Sequence, residues 1–538
     1  MDLIHQKDRK FVLTALLLAF TALSLYACQN KQGIPTTVPV QSPTNTKAII
    51  STPLPTITPT RTQAHRQTDD PMPPSRPSPT PTPVVELSEI EPILVGCNPS
   101  ELVLMNLDGT GLARISFNTL VQCSAHELAE SVSSTGEMLV LRSGKHPEHI
   151  YQVGLEDKPD NLTLQIIKLP TGDLIKEIPL LSVELRQKIQ AEEQWYLNDF
   201  IFPLLNIVPL WSPDGRYLAF VAALDGPSSD VYVYDSEEDQ IRRLTDGPNQ
   251  AWLMSWSPDS QWIVHMEATH MMIGGGSTSG FPDAKAVWSA APDGSEVWKV
   301  YETDHPGEQQ IAGWLSSVEF VVQTRDFYNP YPYHLRTVNL VTSAINDIYS
   351  CFGMFGDITS DGVVIFWSYG DNTGHEIGNY FAEKCKETIP SGLYLFVDGE
   401  YQPISGFVTS TRWFPEIEKM IHPSSDGTQV MYSDGKPYLL FVEERCFPEV
   451  SPDGKWFAFL YLCQWHHSGS QQIRIYKSNG VMERNVVVGQ TNKLFWHPAV
   501  KGVYFMVDTQ IWFLSNITGD LLQIHPDTGV EFFIIVSN

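Results

Sequence analysis

The sequence predicts an all-β protein: a single closed β-propeller of four-stranded blades, with one inserted helix. Three observations favour this fold class. A short turn sequence recurs along the chain, its copies stand mostly about 40–45 residues apart, and an alternating apolar strand with a tight polar turn follows downstream. This spacing is typical of propeller blades, so the repeats indicate architecture rather than function.

The recurring turn has three strong copies, each followed at once by an aromatic and apolar strand. They are Trp211-Ser-Pro-Asp-Gly215, Trp256-Ser-Pro-Asp-Ser260 and Val450-Ser-Pro-Asp-Gly454. Pro fixes φ near the value that the second turn position requires, Asp can bond its own backbone, and Gly accepts positive φ. The sequence therefore predicts a strand-turn-strand unit at these positions and not a catalytic loop.

Weaker copies of the turn fill the gaps between the strong ones. They lie at Ser133–Gly136, Leu315–Ser317, Thr359–Gly362 and Trp496–Pro498, with another at Trp413–Pro415 or, alternatively, at Ser424–Gly427. Counted literally, these turns and the N-terminal strands that lack one give nine blades. We treat one weak copy as an elaboration and predict eight blades, with seven as the alternative.

The two ends of the repeat region are predicted to share one blade. Strands near Pro92–Val95 and Leu102–Met105 lack a turn start, and the C-terminus ends in a spare strand, Val530–Val536. If this strand completes the first blade, the ring has no exposed sheet edge. Between the second and third blades, Leu181–Phe200 carries apolar residues at helical spacing and predicts the inserted helix.

With these motifs the chain resembles the TolB-type and WD-repeat-like propellers. Their repeat combines the Trp-Ser-Pro-Asp-Gly turn with an apolar strand, then a strand like Val231-Tyr-Val-Tyr-Asp235, and a segment like Arg242-Arg-Leu-Thr245. The resemblance runs from residue 93 to the C-terminus and implies a propeller domain over 86–538. It implies no activity, because propellers carry many functions.

The N-terminus predicts export. Basic residues precede a short apolar run, Phe11–Tyr26, which gives residues 1–27 the layout of a secretory signal peptide. The run ends in a sequence that resembles the bacterial lipobox, so Cys28 is the expected lipidation site. An uncleaved membrane anchor is the alternative. Either way, we expect the propeller to be held at the cell membrane on its extracytoplasmic side.

Residues 28–85 are predicted to be a disordered linker. Their composition shifts to Pro and Thr, and the segment ends in a proline-rich run, Pro73–Pro83. A chain with so many imino acids and so few apolar residues stays extended and polyproline-like. The linker is therefore expected to hold the propeller away from the membrane.

The charge balance argues against a nucleic-acid partner. The chain has 62 acidic and 35 basic residues, which gives a formal net charge of −27. The repeats contain no basic cluster, so binding to a phosphate backbone has no electrostatic basis. The expected partners are an extracellular protein, peptide or glycan, together with the membrane.

Six cysteines remain once Cys28 is set aside, an even number that suits an exported protein. Neighbours in sequence are the favoured partners. In order of preference, the candidate disulfides are Cys446 with Cys463, Cys351 with Cys385, and Cys97 with Cys123. Buried free thiols are the alternative, because connectivity cannot be derived from sequence alone.

Motifs for catalysis or metal binding are not apparent. The chain has no His-Glu-x-x-His helix and no Gly-x-Ser-x-Gly elbow, and no Lys-Ser or Lys-Thr follows the glycine run Gly274–Gly280. His265 and His270 form one of several histidine pairs, which we interpret as surface-loop residues because they lack a carboxylate partner at metal-ligand spacing. We therefore expect no catalytic residue, no metal and no cofactor.

Long insertions between the second and third strands mark the expected binding face. Two of them, Thr324–Tyr333 and Cys463–Ser470, are rich in aromatic residues, which supply rigid contact area for a partner. The candidate ligand-binding residues are Phe327, Tyr328, Tyr331, Tyr333, Trp465 and His466. Packing of these side chains onto the blade edges is the alternative.

Together these features predict a membrane-tethered lipoprotein that acts as a binding scaffold for a protein, peptide or glycan. The alternative is an extracellular hydrolase or lyase that acts on polysaccharide or peptide in the propeller channel. Polysaccharide hydrolysis would require two carboxylates within reach of one another, and the sequence offers no clear pair.

Overall fold

The computed structural model describes residues 92–537 except 119, 124, 146–159, 193–197, 274–279, 303–307, 326–331, 350–352, 369–388, 398, 406–411, 424–428, 434–435, 442–447, 462–470, 490, 492 and 526–528. The signal peptide predicted over 1–27 and the linker predicted over 28–85 lie outside these residues. The described residues belong to one compact unit, Pro81–Asn538.

Strands dominate the described residues and form nine antiparallel sheets, eight with four strands and one with three. We number the sheets 1 to 9 along the chain. Sheet 1 contains β1 (Ile93–Asn98), β2 (Glu101–Asn106), β3 (Ala113–Ser116) and the last strand, β35 (Phe532–Val536). Sheet 2 contains β4 (Met138–Lys145), β5 (Asp160–Lys168) and β6 (Leu174–Pro179). Sheet 3 contains β7 (Leu210–Trp211), β8 (Tyr217–Ala222), β9 (Asp230–Asp235) and β10 (Gln240–Arg243).

Sheets 4 to 9 are consecutive four-stranded meanders. Sheet 4 contains β11 (Gln250–Trp256), β12 (Ile263–Ile273), β13 (Gly280–Ala290) and β14 (Val297–Glu302), and sheet 5 contains β15 (Glu308–Trp314), β16 (Glu319–Arg325), β17 (Pro332–Asn339) and β18 (Ile345–Tyr349). Sheet 6 contains β19 (Gly353–Ile358), β20 (Val364–Ser368), β21 (Gly392–Val397) and β22 (Glu400–Ser405), and sheet 7 contains β23 (Arg412–Phe414), β24 (Lys419–Pro423), β25 (Gln429–Ser433) and β26 (Lys436–Phe441). Sheet 8 contains β27 (Glu449–Val450), β28 (Trp456–Tyr461), β29 (Gln471–Lys477) and β30 (Met482–Val488), and sheet 9 contains β31 (Leu494–Trp496), β32 (Gly502–Val507), β33 (Gln510–Ser515) and β34 (Leu521–His525). Repeated four-stranded meanders that each contact their neighbours are the blades of a β-propeller.

The recurring turn is held by its own side chains. In sheet 3, Ser212 Oγ donates to Asp214 Oδ1 at 2.5 Å and accepts from the Tyr217 N–H at 2.9 Å, while Asp214 Oδ1 also accepts from the Arg216 N–H at 3.1 Å. Gly215 has a φ of 77°, which favours glycine at this position. The aspartate therefore closes the turn, as the sequence predicts.

Tryptophans at the end of the first strand link consecutive sheets. Trp211 Nε1 donates to the Ser131 carbonyl of the preceding sheet at 3.0 Å, and Trp256 Nε1 donates to the Leu210 carbonyl at 2.9 Å. Trp496 Nε1 makes the same bond to the Glu449 carbonyl at 2.8 Å. In these three blades the tryptophan that precedes the turn thus ties the blade to the one before it.

The chain ends meet in sheet 1, because β35 pairs with β1 in antiparallel register, with Ile93 opposite Val536. Sheet 9 packs against this sheet, with the rings of Phe495 and Phe533 4.9 Å apart between centroids. The last strand of the chain therefore supplies a strand to the first sheet.

Sheet 2 differs from the others. The place of a first strand is taken by two isolated bridges, at Val121 and Val132, on either side of helix α1 (Ala125–Glu130). The weak turn at Ser133–Gly136 therefore starts a sheet of its own. The structure contains nine sheets where we predicted eight blades, because discounting one weak copy removed a real sheet. In sheet 7 the turn that joins the first two strands, β23 and β24, follows Phe414. The copy of the turn is therefore the one at Trp413–Pro415 and not the alternative at Ser424–Gly427.

Two helices stand between sheets 2 and 3, where one was predicted. Helix α2 (Val183–Ala191) is capped by Ser182 Oγ, which accepts from the Leu185 N–H at 3.2 Å, and α3 (Ile201–Asn206) is almost entirely buried. No helix among the described residues is long and apolar enough to cross a membrane.

Candidate functional site

Most of the sequence-predicted site residues fall outside the described residues. This is so for Phe327, Tyr328, Tyr331, Trp465 and His466, for the lipidation candidate Cys28, and for Cys351, Cys385, Cys446 and Cys463. Tyr333 is the second residue of β17. The roles predicted for these residues in ligand binding, lipidation and disulfide formation therefore stay predictions.

Cys97 and Cys123 form a disulfide, with a Cα–Cα distance of 6.0 Å. The bond joins β1 of sheet 1 to the segment that precedes α1 in sheet 2. This pair was the last in our order of preference.

A cleft of about 230 Å³ lies between sheets 3 and 4. One wall is the connection from β10 to β11, and the other comes from β12 and β13. Its polar lining includes Asp230, Asp246, Asn249, His265, Glu267 and Trp288. Three residues of the lining are acidic, and Arg243, which is not among the lining residues, binds Asp230 and Asp246 at 2.8 Å.

Asp230 holds the connection that forms the first wall. Its Oδ2 accepts from Arg243 Nη2 at 2.8 Å, and its Oδ1 accepts from Thr245 Oγ1 at 2.9 Å and from the Gly247 N–H at 3.4 Å. The Asp230 side chain is buried. Both carboxylate oxygens are therefore engaged, and Asp230 has a structural role in the cleft.

Glu267 is the carboxylate that faces the cleft from β12, and it is only half-buried. Its Oε1 accepts from Asn249 Nδ2 at 2.7 Å, and its Oε2 accepts from Trp288 Nε1 at 2.9 Å. Both donors are neutral, and a carboxylate can accept about four hydrogen bonds. Glu267 is thus oriented by its neighbours and still able to bind a donor from a ligand.

His265 lies two residues before Glu267 and is only 3% exposed. Its Nδ1 has no hydrogen-bond partner among the described residues. Burial lowers the pKa of His265 to about 4, so the imidazole is neutral near pH 7. An unpaired buried nitrogen that lines a cleft is unusual and indicates a place for a ligand.

Trp288 forms an aromatic part of the wall. Lys299 Nζ lies 5.4 Å from the centroid of its ring and is bound to Glu302 Oε2 at 2.7 Å. Lys299 does not line the cleft. The indole thus already interacts with one ammonium group of the protein.

The cleft offers acceptors to hydrogen-bond donors. No group of three potential metal ligands occurs in the part of the chain that the structure describes. Glu267 and His265 offer acceptors, and a carboxylate and a neutral imidazole can also take part in proton transfer.

Sequence analysis missed this site because it interpreted His265 as a surface-loop residue. In the structure His265 is buried within β12. A signal was present in the strand Ile263-Val-His-Met-Glu267, where polar residues alternate with apolar ones in an otherwise apolar sheet. Without the neighbouring strands, this alternation does not show that His265 lacks a partner.

Comparisons with known proteins bear on fold and class. No family model matches the chain. A stretch of 56 residues, 10% of the chain, is 41% identical to the uncharacterized peptidase YuxL of Bacillus subtilis (strain 168), and covers 8% of that protein. The chain thus spans less than a tenth of this curated relative.

Solved structures resemble the chain at low identity. A eukaryotic initiation factor is 10% identical, with 84% of this chain and 97% of that chain covered and a TM-score of 0.50. Dipeptidyl peptidase 4 of Porphyromonas gingivalis is 12% identical, with 80% and 67% covered and a TM-score of 0.44. The β-propeller domain of the Trilobed protease from Pyrococcus furiosus is 12% identical, with 74% and 95% covered and a TM-score of 0.34. The first likeness bears on the fold alone, and the other two are too weak to support an argument.

The prediction of a binding scaffold is wrong in the light of the sequence match. The curated relative is a peptidase, which favours the alternative, a hydrolase or lyase. The physical reason for the error is that propeller repeats encode the blade turns and strands, and the same blades support binding proteins and enzymes.

Proposed function

We propose that this chain is a hydrolase that acts on peptides and holds its substrate in the cleft between sheets 3 and 4. The observation that carries the proposal is the cleft itself, which combines a half-buried carboxylate, Glu267, with a buried and unpartnered imidazole, His265. Acidic and imidazole side chains with unusual environments in a concave site are the default candidates for a functional site.

A peptide fits this cleft better than a polysaccharide. Enzymes that hydrolyse glycosidic bonds use two carboxylates that flank the bond. Here both oxygens of Asp230 are engaged by Arg243, Thr245 and Gly247, and Asp246, the other carboxylate of the lining, is also bound to Arg243, at 2.8 Å. Neither is a free partner for Glu267. The resemblance of 56 residues to a peptidase supports the same choice.

The number of blades and the closure of the ring are proposed as well. We propose one ring of nine blades, one per sheet, closed where β35 pairs with β1 and sheet 9 packs on sheet 1. A ring of this kind leaves short, protected edges, which suits a protein exposed outside the cell. Export through residues 1–27, lipidation at Cys28 and the spacer over 28–85 would place the cleft on the extracytoplasmic side of the membrane.

The experiment compares the full-length protein with Glu267→Gln. The purified protein, kept in detergent with its N-terminus, is incubated with a mixture of unprotected peptides and, separately, with polysaccharides, and the products are identified by mass spectrometry. We expect new peptide fragments, and kcat/KM about 10- to 100-fold lower in Glu267→Gln, because a hydrogen bond to a charged group contributes about 1.5–3 kcal/mol.

Glu184→Gln is the matched control, since Glu184 is an exposed residue of α2 far along the chain from the cleft. It should retain the parent activity. Unsaturated or shortened sugars without peptide fragments would replace the proposal by a polysaccharide enzyme, and the absence of any product would overturn it.

A further inference from the structure

We infer that the cleft between sheets 3 and 4 recognises a primary ammonium group, either the amino terminus of a peptide or the side chain of a lysine. That this group belongs to a peptide substrate rests on the proposed function. The recognition itself rests on the donors, acceptors and charges of the cleft.

Acceptors outnumber donors in the cleft. Glu267 accepts one hydrogen bond at each oxygen and has further lone pairs, and His265 Nδ1 has no partner among the described residues. A primary ammonium carries three N–H donors and no acceptor, so it complements this lining. A hydroxyl would supply a single donor, and its lone pairs would find few hydrogen-bond donors in the cleft.

The unpartnered imidazole is the observation that points to a ligand. A buried polar atom without a partner is unfavourable, and native proteins seldom leave one unpaired. When the proton of the neutral His265 ring is on Nε2, Nδ1 is an acceptor, and a bound ammonium supplies the missing donor. An acidic cluster alone would not indicate a ligand, whereas an unpartnered acceptor in a residue that lines the same cleft does.

Charge selects a cation. The described lining contains Asp230, Asp246 and Glu267; Arg243, which is outside the lining, binds both aspartates at 2.8 Å, whereas the hydrogen bonds to Glu267 come from the neutral donors Asn249 and Trp288. A carboxylate or phosphate ligand beside Glu267 would be repelled by the charge of Glu267, which its two neutral hydrogen-bond donors do not neutralise.

Trp288 adds an aromatic surface for the same ligand. Its Nε1 donates to Glu267 Oε2 at 2.9 Å, so the ring and the carboxylate are fixed relative to one another. Indole is the best aromatic partner for a cation, and Lys299 Nζ, 5.4 Å from the centroid, takes up part of this ring's surface. A ligand ammonium at Glu267 would therefore be close to both a negative charge and an aromatic ring.

The size of the cleft limits the ligand. Its volume is about 230 Å³, which is roughly eight times the 30 Å³ that one water takes up in the liquid. This accommodates an ammonium group with the first side chain of a peptide, or the end of a lysine, and not a folded protein surface.

Isothermal titration calorimetry with the full-length protein tests the inference. The probes are L-phenylalaninamide, which has a free α-amino group, its N-acetyl derivative, which has none, and Nα-acetyl-L-lysinamide, which has only a side-chain amine. We expect one of the two amines to bind at least about tenfold more tightly than N-acetyl-phenylalaninamide, a difference of about 1.4 kcal/mol. Which amine binds distinguishes an amino-terminal from a side-chain ligand.

Variants locate the binding in the cleft. Glu267→Gln and His265→Phe should each weaken amine binding about tenfold or more, and Glu184→Gln should leave it unchanged. If His265→Phe unfolds, as judged by circular dichroism, the comparison of free and acetylated probes on the parent protein decides alone. Equal binding of the acetylated and free probes, or unchanged binding in Glu267→Gln, would overturn the inference.

The same reagents separate this inference from the proposed function. Amine binding without any cleavage would leave the ammonium site and overturn the hydrolase. Cleavage of N-acetylated, lysine-free peptides as fast as of free peptides would leave the hydrolase and overturn the ammonium site.

Discussion

Sheets 2 and 3 are neighbours in the chain but are held in different ways. In sheet 3 the first two strands are joined by a strong copy of the turn. Hydrogen bonds of Ser212 and Asp214 and the positive φ of Gly215 stabilise this turn locally. Sheet 2 begins with a weak copy, and helix α1 interrupts the place of its first strand. The difference shows that a repeat can survive the loss of its local signal when contacts from elsewhere replace it.

The contacts that replace the signal in sheet 2 are long-range. The buried Arg142 of β4 donates from Nη1 to the Leu205 carbonyl at 2.5 Å and to Gln122 Oε1 at 3.3 Å, and it also binds the Ile207 carbonyl. The Cys97–Cys123 disulfide ties the segment before α1 to sheet 1. In sheet 3 the corresponding ionic contacts are local, with Arg216 and Arg242 both bound to Asp235.

Removal of the disulfide should have the largest effect on this comparison. The double variant Cys97→Ser/Cys123→Ser opens a loop closed over a sequence separation of 26 residues. Loop-closure entropy for this length predicts a loss of about 3.5 kcal/mol in the free energy of unfolding. Urea denaturation followed by tryptophan fluorescence measures it. A variant as stable as the parent would show that sheet 2 does not depend on its link to sheet 1.

Arg142→Met should destabilise the protein by about 3 kcal/mol, because it leaves several buried acceptors without a donor. Arg216→Met is the matched variant in sheet 3, and it should cost much less, since Arg242 still binds Asp235. The two unfolding free energies from urea titration test the contrast. Equal losses would mean that the irregular sheet is no more dependent on its buried arginine than the regular sheet is on its ion pair.

The stability that the Asp235 carboxylate gives to sheet 3 should depend on pH. Burial favours the neutral form of Asp235, but hydrogen bonds from Arg216 and Arg242 outweigh it and hold the pKa at about 2. An aspartate has a pKa of about 3.9 when unfolded, so this stabilisation is complete above pH 4 and is lost as the pH falls towards 2. The contribution is about 2 kcal/mol.

Asp235→Asn tests this titration. The stability difference between parent and variant, measured by urea denaturation, should shrink by about 2 kcal/mol between pH 4.5 and pH 2. A difference that stays constant over this range would show that the carboxylate of Asp235 does not stabilise sheet 3 through its charge.

The tryptophan links between sheets should give the smallest effect. Trp211→Phe removes the donor to the Ser131 carbonyl of sheet 2, and Trp256→Phe removes the donor to the Leu210 carbonyl of sheet 3. Each should lower the midpoint of thermal unfolding, with a loss of about 1.5 kcal/mol. A much smaller loss for Trp211→Phe would indicate that the irregular inner segment of sheet 2 relaxes to satisfy its own carbonyl.

The repeated turn could be predicted from the sequence because its stabilising interactions are local. Pro, Asp and Gly fix a turn through their own backbone and side-chain bonds, so the turns at Trp211, Trp256 and Val450 could be recognised without any neighbour. The pairing of Val530–Val536 with the first strands was also predictable, because an unmatched strand at each end has one natural partner.

Only the tertiary structure decided the number of sheets and the site. Sheet 2 is held by Arg142 and the disulfide, which reach segments far along the chain, and the weak turns alone could not show which of them start a sheet. The cleft joins Asn249, His265, Glu267 and Trp288 from separate elements. Whether His265 has a partner depends on packing among those elements, and burial and hydrogen bonding between distant segments are not encoded in any local pattern of residues.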